Sequence, residues 1–292
     1  MNKKEFSRLA DGQVVLLDGA MGSNMTKMGM PRNTCAEVWI LEHQELAAGL
    51  QKQYLEAGSR ILYAPTFSAN RLSLKKYGKE QEVERLNTGL VQMTRRAVGD
   101  HALVAGDLTT TGELLEPFGD LTEEELYDVY CQQIRALAAA GADLLVAETM
   151  LSVQETEVAL KAALDTCELP VICTLTVQEN GRALFGGTAA EAVETLQAQG
   201  ASAVGVNCSV GPEQLKNVVR AMKEKARIPI VVKPNAGMPE MDEHGQPVYR
   251  MTPERFAVSM KELIGLGANL VGGCCGTAPE YIRSLAEAAG LT

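Results

Sequence analysis

The stretch GADLLVAE, residues 141–148, shows most directly how this chain folds. Its first residue, Gly141, suits the left-handed end of a helix, and the apolar run that follows does not alternate with polar residues. Strands that are buried on both faces of a parallel sheet have this composition. The stretch ends on a carboxylate, Glu148, which stands where the strand is expected to finish.

The same unit of turn and strand recurs along the chain. Eight short apolar runs, spaced about 30–45 residues apart, are typical of a (β/α)8 barrel. They are Val14–Leu17, Arg60–Ala64, Ala102–Ala105, Asp143–Ala147, Pro170–Thr176, Ala201–Val206, Pro229–Val232 and Asn269–Gly272. We therefore predict an α/β protein, a (β/α)8 TIM barrel that forms a single domain over residues 1–292. The alternative is an open doubly wound sheet, which the lack of a Gly-x-Gly-x-x-Gly turn disfavours.

Capping patterns mark the starts of helices between these runs. Thr122 with Glu125 has the spacing of a capping box, and apolar residues recur at helical spacing after it. Thr277 with Glu280 has the same spacing and is predicted to cap the last helix.

Composition and charge limit the kind of partner that the protein can have. The 292 residues carry a formal net charge of −10, which argues against nucleic acid or an anionic membrane surface as a partner. No segment is apolar enough to span a bilayer, and no signal sequence follows the first residues. Seven cysteines without a secretory context do not suggest a disulfide framework. We expect a cytoplasmic protein with reduced thiols.

Three cysteines stand just after apolar runs, Cys208 after the sixth and the pair Cys274-Cys275 after the eighth. Three thiolates brought together from two strand ends would form a tetrahedral metal site with one open position, as a catalytic zinc requires. Glycines on both sides of the pair allow the strand to break, so that both thiols can face one site. The alternative is that these are buried thiols that pack as small apolar groups.

Other polar residues are expected at the same end of the barrel, because the chemistry of such barrels gathers where the strands end. The turn from Asp18 to Gly22 can bind a carboxylate through its backbone amides, or it can be an ordinary turn. Glu148, if buried, requires a cation, either a substrate ammonium or a lysine or arginine of the barrel. Asp107 can either cap a loop or contact a ligand, and we expect it to cap a loop.

The histidines are poor candidates for catalysis. His43 is expected in a helix, and His101 precedes the third strand, at the opposite end of the barrel. His244 is expected in a polar surface loop.

The motifs at the strand ends together resemble those of the zinc-dependent homocysteine S-methyltransferases. These motifs are Asp18–Gly22, Thr66–Asn70, Gly112–Leu114, Glu148-Thr149, Gly205–Ser209, Pro234–Gly237 and Gly272–Thr277. The likeness covers nearly the whole chain, and Gly-Gly-Cys-Cys-Gly with the upstream Asn-Cys is its most specific part. The residues that follow Cys208 and Cys275 are most similar to the homocysteine-binding module of cobalamin-dependent methionine synthase.

The resemblance implies a zinc ion held by Cys208, Cys274 and Cys275, with the thiol of homocysteine as its fourth ligand. The bound thiolate would attack a methyl group and give methionine. The substrate contacts that the resemblance implies are Asp18, Gly19, Ala20, Met21, Thr66, Glu148 and Asn235. In this interpretation the turn amides hold the carboxylate, Glu148 holds the ammonium, and Asn235 fills the open zinc position before substrate binds.

The methyl donor is expected to be a methylcorrinoid on a separate protein, because no segment of the chain remains for a corrinoid or folate domain. S-methylmethionine or S-adenosylmethionine is the second candidate donor. Betaine is the third, since it would require an aromatic cage and aromatic residues make up 4% of the chain. Two other functions stay open: a lyase or aldolase with Lys233 as its Schiff-base lysine, and a non-catalytic subunit that binds zinc and a thiol.

Overall fold

Ten strands are formed by residues 1–243 and 247–291, the part of the chain that the computed structural model describes. They are β1 (Val15–Leu16), β2 (Ile61–Tyr63), β3 (Leu103–Leu108), β4 (Leu144–Met150), β5 (Val171–Leu175), β6 (Ala203–Asn207), β7 (Ile230–Lys233), β8 (Glu240–Met241), β9 (Pro247–Val248) and β10 (Leu270–Val271). β8 and β9 pair as an antiparallel hairpin, and the other eight form one parallel sheet. His244, predicted in a polar surface loop, lies outside the described residues.

The parallel sheet closes on itself as a barrel. From β2 to β7 each strand pairs with the next along the chain, and β10 lies between β7 and β1. A parallel bridge between Leu17 and Ile61 brings β1 against β2. This arrangement confirms the predicted (β/α)8 barrel and excludes the open doubly wound sheet. That residues 1–292 form a single domain stays a prediction.

Helices surround the barrel and connect its strands. They are α1 (Lys3–Ala10), α2 (Gly22–Lys27), α3 (Ala36–Glu42), α4 (Gln44–Glu56), α5 (Arg71–Lys75), α6 (Val83–Val98), α7 (Glu123–Ala139), α8 (Val153–Thr166), α9 (Ala189–Gln199), α10 (Lys216–Lys225), α11 (Pro253–Gly265) and α12 (Pro279–Ala289). In the described part of the chain no helix combines the length and the apolar character that crossing a membrane requires.

One of the two predicted helix caps is confirmed. Thr122 and Glu125 form a capping box at the start of α7. The cap predicted at α12 is wrong, because Thr277 makes no capping bond to that helix. Its hydroxyl instead accepts the amide of Ala20 at 3.1 Å and donates to the carbonyl of Cys274 at 2.7 Å. The threonine thus ties the turn after β1 to the cysteine pair after β10.

The interior of the barrel is apolar towards its amino-terminal end. Phe6 and Ala10 of α1 belong to the same buried cluster as strand residues such as Leu144, Ile172 and Leu270. Because α1 directly precedes β1, it covers this end of the barrel. The carboxyl-terminal end, where the predicted site residues lie, remains open.

Candidate active site

The three predicted metal ligands come together at the carboxyl-terminal end of the barrel. Cys208 follows β6, Cys274 and Cys275 follow β10, and the three sulfur atoms lie within 4.8 Å of one another. The Sγ atoms of Cys208 and Cys275 are 3.4 Å apart. All three cysteines line a cavity of about 460 Å³. Among the described residues this is the only such cluster of three or more cysteine, histidine or acidic side chains.

Strand β7, which lies between β6 and β10, holds the two cysteine segments in place. The amide of Cys208 donates to the carbonyl of Lys233 at 3.2 Å. The amide of Cys274 donates to the carbonyl of Pro234 at 2.8 Å. The positions of the thiols are therefore set by backbone hydrogen bonds of the barrel itself.

The backbone at the thiols is unusual. Cys208 has a φ of +46°, a left-handed conformation that costs a non-glycine residue roughly 1–3 kcal/mol. At Gly273 a β-carbon would lie 2.5 Å from the side chain of Thr277. Gly276 has a φ of +83°, and a β-carbon there would lie 2.3 Å from the ring of Tyr249. The glycines on both sides of the cysteine pair therefore provide the space and the conformation that the turn requires.

The thiols share negative charge in this arrangement. Hydrogen bonds from the thiols of Cys208 and Cys274, and from the hydroxyl of Tyr249, lower the pKa of Cys275 to about 3. Hydrogen bonding to Cys208 and Cys275 raises the pKa of Cys274 well above its usual value. The arrangement therefore favours a thiolate at Cys275, stabilised by the other two thiols and by Tyr249. Tyr249 was missed by the sequence analysis, because it lies in the loop before α11 and belongs to none of the motifs.

The turn after β1 lines the same cavity, as predicted. The amide of Ala20 is already used, because it donates to the hydroxyl of Thr277 at 3.1 Å. The amides of Gly19 and Met21 have no acceptor within the described residues. The turn therefore offers two of the three predicted amides to a substrate carboxylate.

Glu148 lies near the end of β4, is 9% exposed and lines the cavity. Asn207 donates through Nδ2 to its Oε2 at 2.9 Å and to the Thr149 hydroxyl at 2.8 Å. Oδ1 of Asn207 accepts the Thr149 amide and the Thr174 hydroxyl, each at 2.8 Å. With both ends of its amide engaged, Asn207 orients the glutamate. Burial raises the pKa of Glu148 to about 7.

Thr66 and Asn235, two of the predicted substrate contacts, are not among the described residues that line the cavity. The hydroxyl of Thr66 donates to the carbonyl of Asp107 at 2.7 Å and accepts the Asp107 amide at 3.0 Å. Asn235 donates to the carbonyl of Ser209 at 3.4 Å, while its Oδ1 is buried and has no partner among the described residues. This geometry does not support Thr66 as a substrate contact, whereas Asn235 keeps a free acceptor. The prediction that Asp107 caps a loop is not supported, since it lies within β3 and faces the cavity.

A buried lysine also lies on the cavity wall. Nζ of Lys233 is 2.7 Å from Oδ1 of Asp18 and 3.6 Å from the centroid of the Tyr63 ring. Although burial lowers it, the charge of Asp18 raises the pKa of Lys233 well above its usual value. A Schiff-base lysine has to be a neutral amine to attack a carbonyl. The lyase or aldolase alternative is therefore disfavoured.

The sequence matches the family model described as homocysteine S-methyltransferase over residues 15–289. The chain belongs to the homocysteine S-methyltransferase family. Among curated members with similar sequences, the methionine synthase of Mycobacterium leprae (strain TN) is 27% identical over 293 residues. This alignment covers 94% of the chain and 24% of the relative, so the chain spans about a quarter of that protein's length.

The fold of this homocysteine S-methyltransferase family member is shared with solved structures. The homocysteine methyltransferase MmuM from Escherichia coli, in its oxidized form, superposes with a TM-score of 0.80 at 24% identity, covering 98% of this chain and 99% of that chain. Its metallated form gives a TM-score of 0.78 at 23% identity, covering 95% and 97%. Because the sequence identities are only 24% and 23%, this structural similarity establishes a shared fold and nothing further.

Proposed function

We propose that this chain methylates homocysteine to methionine, with a zinc ion held by Cys208, Cys274 and Cys275 and a methylcorrinoid on a separate protein as the donor. The observation that carries the proposal is the three-sulfur cluster at the open mouth of a barrel in this family. Sulfur ligands of a tetrahedral zinc lie about 3.8 Å apart, given zinc–sulfur distances of about 2.3 Å. The Sγ atoms of Cys208 and Cys275 are 3.4 Å apart, and all three sulfur atoms lie within 4.8 Å of one another. These distances are close to the separation expected for three ligands of one tetrahedral zinc ion.

Zinc bound there would supply the positive charge that keeps a fourth sulfur ligand deprotonated at neutral pH. The chain's own residues position the substrate. The amides of Gly19 and Met21 hold its carboxylate, and Glu148, oriented by Asn207, holds its ammonium. The free Oδ1 of Asn235 supports its role as the ligand that substrate displaces.

Exposed apolar side chains around the mouth support a protein as the donor. Most of the large exposed apolar residues in the described chain lie in connections that follow barrel strands: Met28, Tyr77, Leu114, Phe118, Leu184, Phe185, Met238 and Met241. Phe118 is 80% exposed. Loops that follow barrel strands lie at the carboxyl-terminal end, so a partner protein that docks at the mouth would meet these apolar groups, whereas a small diffusible donor requires only the cavity. This observation favours the corrinoid protein over the sulfonium donors and betaine.

The test is turnover of homocysteine by zinc-loaded protein against methylcobalamin, S-methylmethionine, S-adenosylmethionine and betaine in parallel. We expect methionine to form with methylcobalamin, which stands in for the corrinoid protein. Turnover with a sulfonium or with betaine, and none with methylcobalamin, would overturn the proposed donor. Binding of homocysteine without turnover from any of these donors would favour the non-catalytic thiol-binding subunit.

A further inference from the structure

Tyr249 lies beside the cysteine pair, although it belongs to none of the motifs that follow the barrel strands. It comes directly after β9, in the connection that leads to α11, and it is half-buried. A β-carbon at Gly276 would lie 2.3 Å from Cγ of Tyr249. The tyrosine ring therefore packs on the backbone of the residue that follows Cys275.

Backbone hydrogen bonds fix the segment that carries this ring. The amide of Met251 donates to the carbonyl of Ala236 at 3.4 Å, and the amide of Ala236 donates to the carbonyl of Cys275 at 2.9 Å. The hydroxyl of Tyr281, in the last helix, donates to the carbonyl of Met251 at 2.6 Å. The position of Tyr249 is therefore tied to the turn that holds the cysteine pair.

The hydroxyl of Tyr249 donates a hydrogen bond to the sulfur of Cys275. A phenol is protonated at neutral pH and can serve as this donor. The side chains of Cys208 and Cys274 hydrogen-bond with the other thiols of the cluster. Cys275 thus has a donor that comes from outside the three thiols.

Such a donor has two effects on a thiolate that binds a metal. It fixes the direction of the sulfur, and it offsets part of the negative charge on it. Three thiolates carry more negative charge than one Zn²⁺ ion carries positive charge, and a fourth thiolate from the substrate would increase this excess. A hydroxyl aimed at one of the sulfurs stabilises the charge without occupying a coordination position.

We propose that Tyr249 is a positioning residue of the zinc site and acts on the metal through its hydrogen bond to Cys275. This inference rests on the proposed function and adds a residue outside the three ligands. The ring holds the hydroxyl in place by packing on Gly276, and the hydroxyl holds the sulfur of Cys275 towards the other two thiols.

The first test measures the zinc affinity of the wild type and of Tyr249→Phe by competition with a chromogenic chelator. Phenylalanine keeps the ring on Gly276 and removes only the hydroxyl, so the melting temperature of the metal-free variant should match the wild type. Loss of such a partner typically costs about 10- to 100-fold in metal affinity, and we expect a loss of this size. A variant that binds zinc as tightly as the wild type would overturn the inference.

Tyr281→Phe is the matched control. It removes a hydroxyl that anchors the same segment, but this hydroxyl donates to a backbone carbonyl and not to a thiol. Its zinc affinity should equal that of the wild type. An equal loss in Tyr281→Phe and Tyr249→Phe would show that packing of the segment, and not the bond to sulfur, supports the site, and would overturn the inference.

The second test uses Co²⁺ in place of zinc, because Co²⁺ bound to thiolates absorbs light as charge moves from sulfur to the metal. Without the hydroxyl, Cys275 holds its electrons less tightly. The absorption band should therefore move to lower energy in Tyr249→Phe and stay unchanged in Tyr281→Phe. An unchanged band in Tyr249→Phe would overturn the inference. If the wild type binds neither metal at the cysteines, the proposed function itself fails; if it binds both and Tyr249→Phe behaves like it, the part assigned to Tyr249 alone is wrong.

Discussion

The two ends of the barrel are built from the same strands but carry opposite kinds of side chain. At the amino-terminal end, Phe6 of α1 shares a buried apolar cluster with strand residues such as Leu144 and Ile172. At the carboxyl-terminal end, the same set of strands presents thiols, carboxylates and a lysine to the cavity. Burial of apolar groups stabilises the fold, whereas buried charged groups cost free energy unless they are partnered. The amino-terminal end stabilises the barrel, and the carboxyl-terminal end carries the groups that we propose bind zinc and substrate.

The backbone differs between the two ends in the same way. Where helices lead into strands at the amino-terminal end, the described residues with positive φ are all glycines: Gly12, Gly58, Gly99, Gly141, Gly200 and Gly267. At the carboxyl-terminal end Thr149 and Cys208 have φ values of +58° and +46°. Glycine adopts this conformation without steric cost, but a residue with a β-carbon does not. Strain is thus accepted beside the site, where it sets the direction of Cys208, a proposed metal ligand.

The largest effect is expected from removing the cysteine pair. Cys274→Ala/Cys275→Ala should reduce zinc from about one ion per chain to nearly none, because one thiolate cannot complete a tetrahedral site. Metal analysis of purified protein measures this. Cys131→Ala/Cys173→Ala is the control, since both of these thiols are buried in the main apolar core, and it should keep its zinc. Full retention of zinc in Cys274→Ala/Cys275→Ala would show that these two cysteines do not bind the metal.

A substitution at the amino-terminal end of the barrel should lower the stability of the fold and leave zinc binding unchanged. Phe6 is 1% exposed, and Phe6→Ala should lower the free energy of unfolding by about 3–5 kcal/mol, as for other buried aromatic truncations. Urea denaturation measures this loss. Val258→Ala, at a residue of α11 that is 62% exposed, should change it by no more than about 0.5 kcal/mol. Zinc content should be normal in both variants, and its loss in Phe6→Ala would show that the two ends are not independent.

A smaller effect is expected at Glu148, through substrate and not through metal. Glu148→Gln keeps the shape and removes the charge, so homocysteine should bind about 10- to 150-fold more weakly, which corresponds to roughly 1.5–3 kcal/mol. Affinity for 4-mercaptobutanoate, which lacks the amino group of homocysteine, and zinc content should be nearly unchanged. Equal losses for both thiols in calorimetry would mean that Glu148 supports the cavity wall and does not bind the ammonium.

The smallest effect is expected from pH. Burial raises the pKa of Glu148 to about 7, so its carboxyl group becomes neutral as the pH falls through this value. A neutral carboxyl group attracts an ammonium less, and the preference for homocysteine over 4-mercaptobutanoate should therefore fall by up to about tenfold between roughly pH 8 and pH 6. The dependence should be weaker in Glu148→Gln. A preference that stays constant over this range in the wild type would contradict the assignment.

The sequence was sufficient for the barrel and for the thiols, because both depend on local patterns. Apolar runs preceded by Gly141 and its equivalents became strands, and the cysteines directly after two of these runs converged. It was not sufficient for the contacts that join distant segments. Lys233 and Asp18 are 215 positions apart, so no local sequence pattern predicts that their side chains pair. Thr277 has the local spacing of a helix cap, but its hydroxyl accepts an amide 257 positions away.

The central claim is that the cysteine cluster binds zinc and leaves one position for the thiol of the substrate. X-ray absorption of the zinc-loaded protein counts the sulfur ligands directly. Without substrate we expect three sulfurs and one lighter ligand, and with saturating homocysteine we expect four sulfurs. A count that stays at three when homocysteine is bound would contradict the claim, because the substrate thiol would then lie elsewhere.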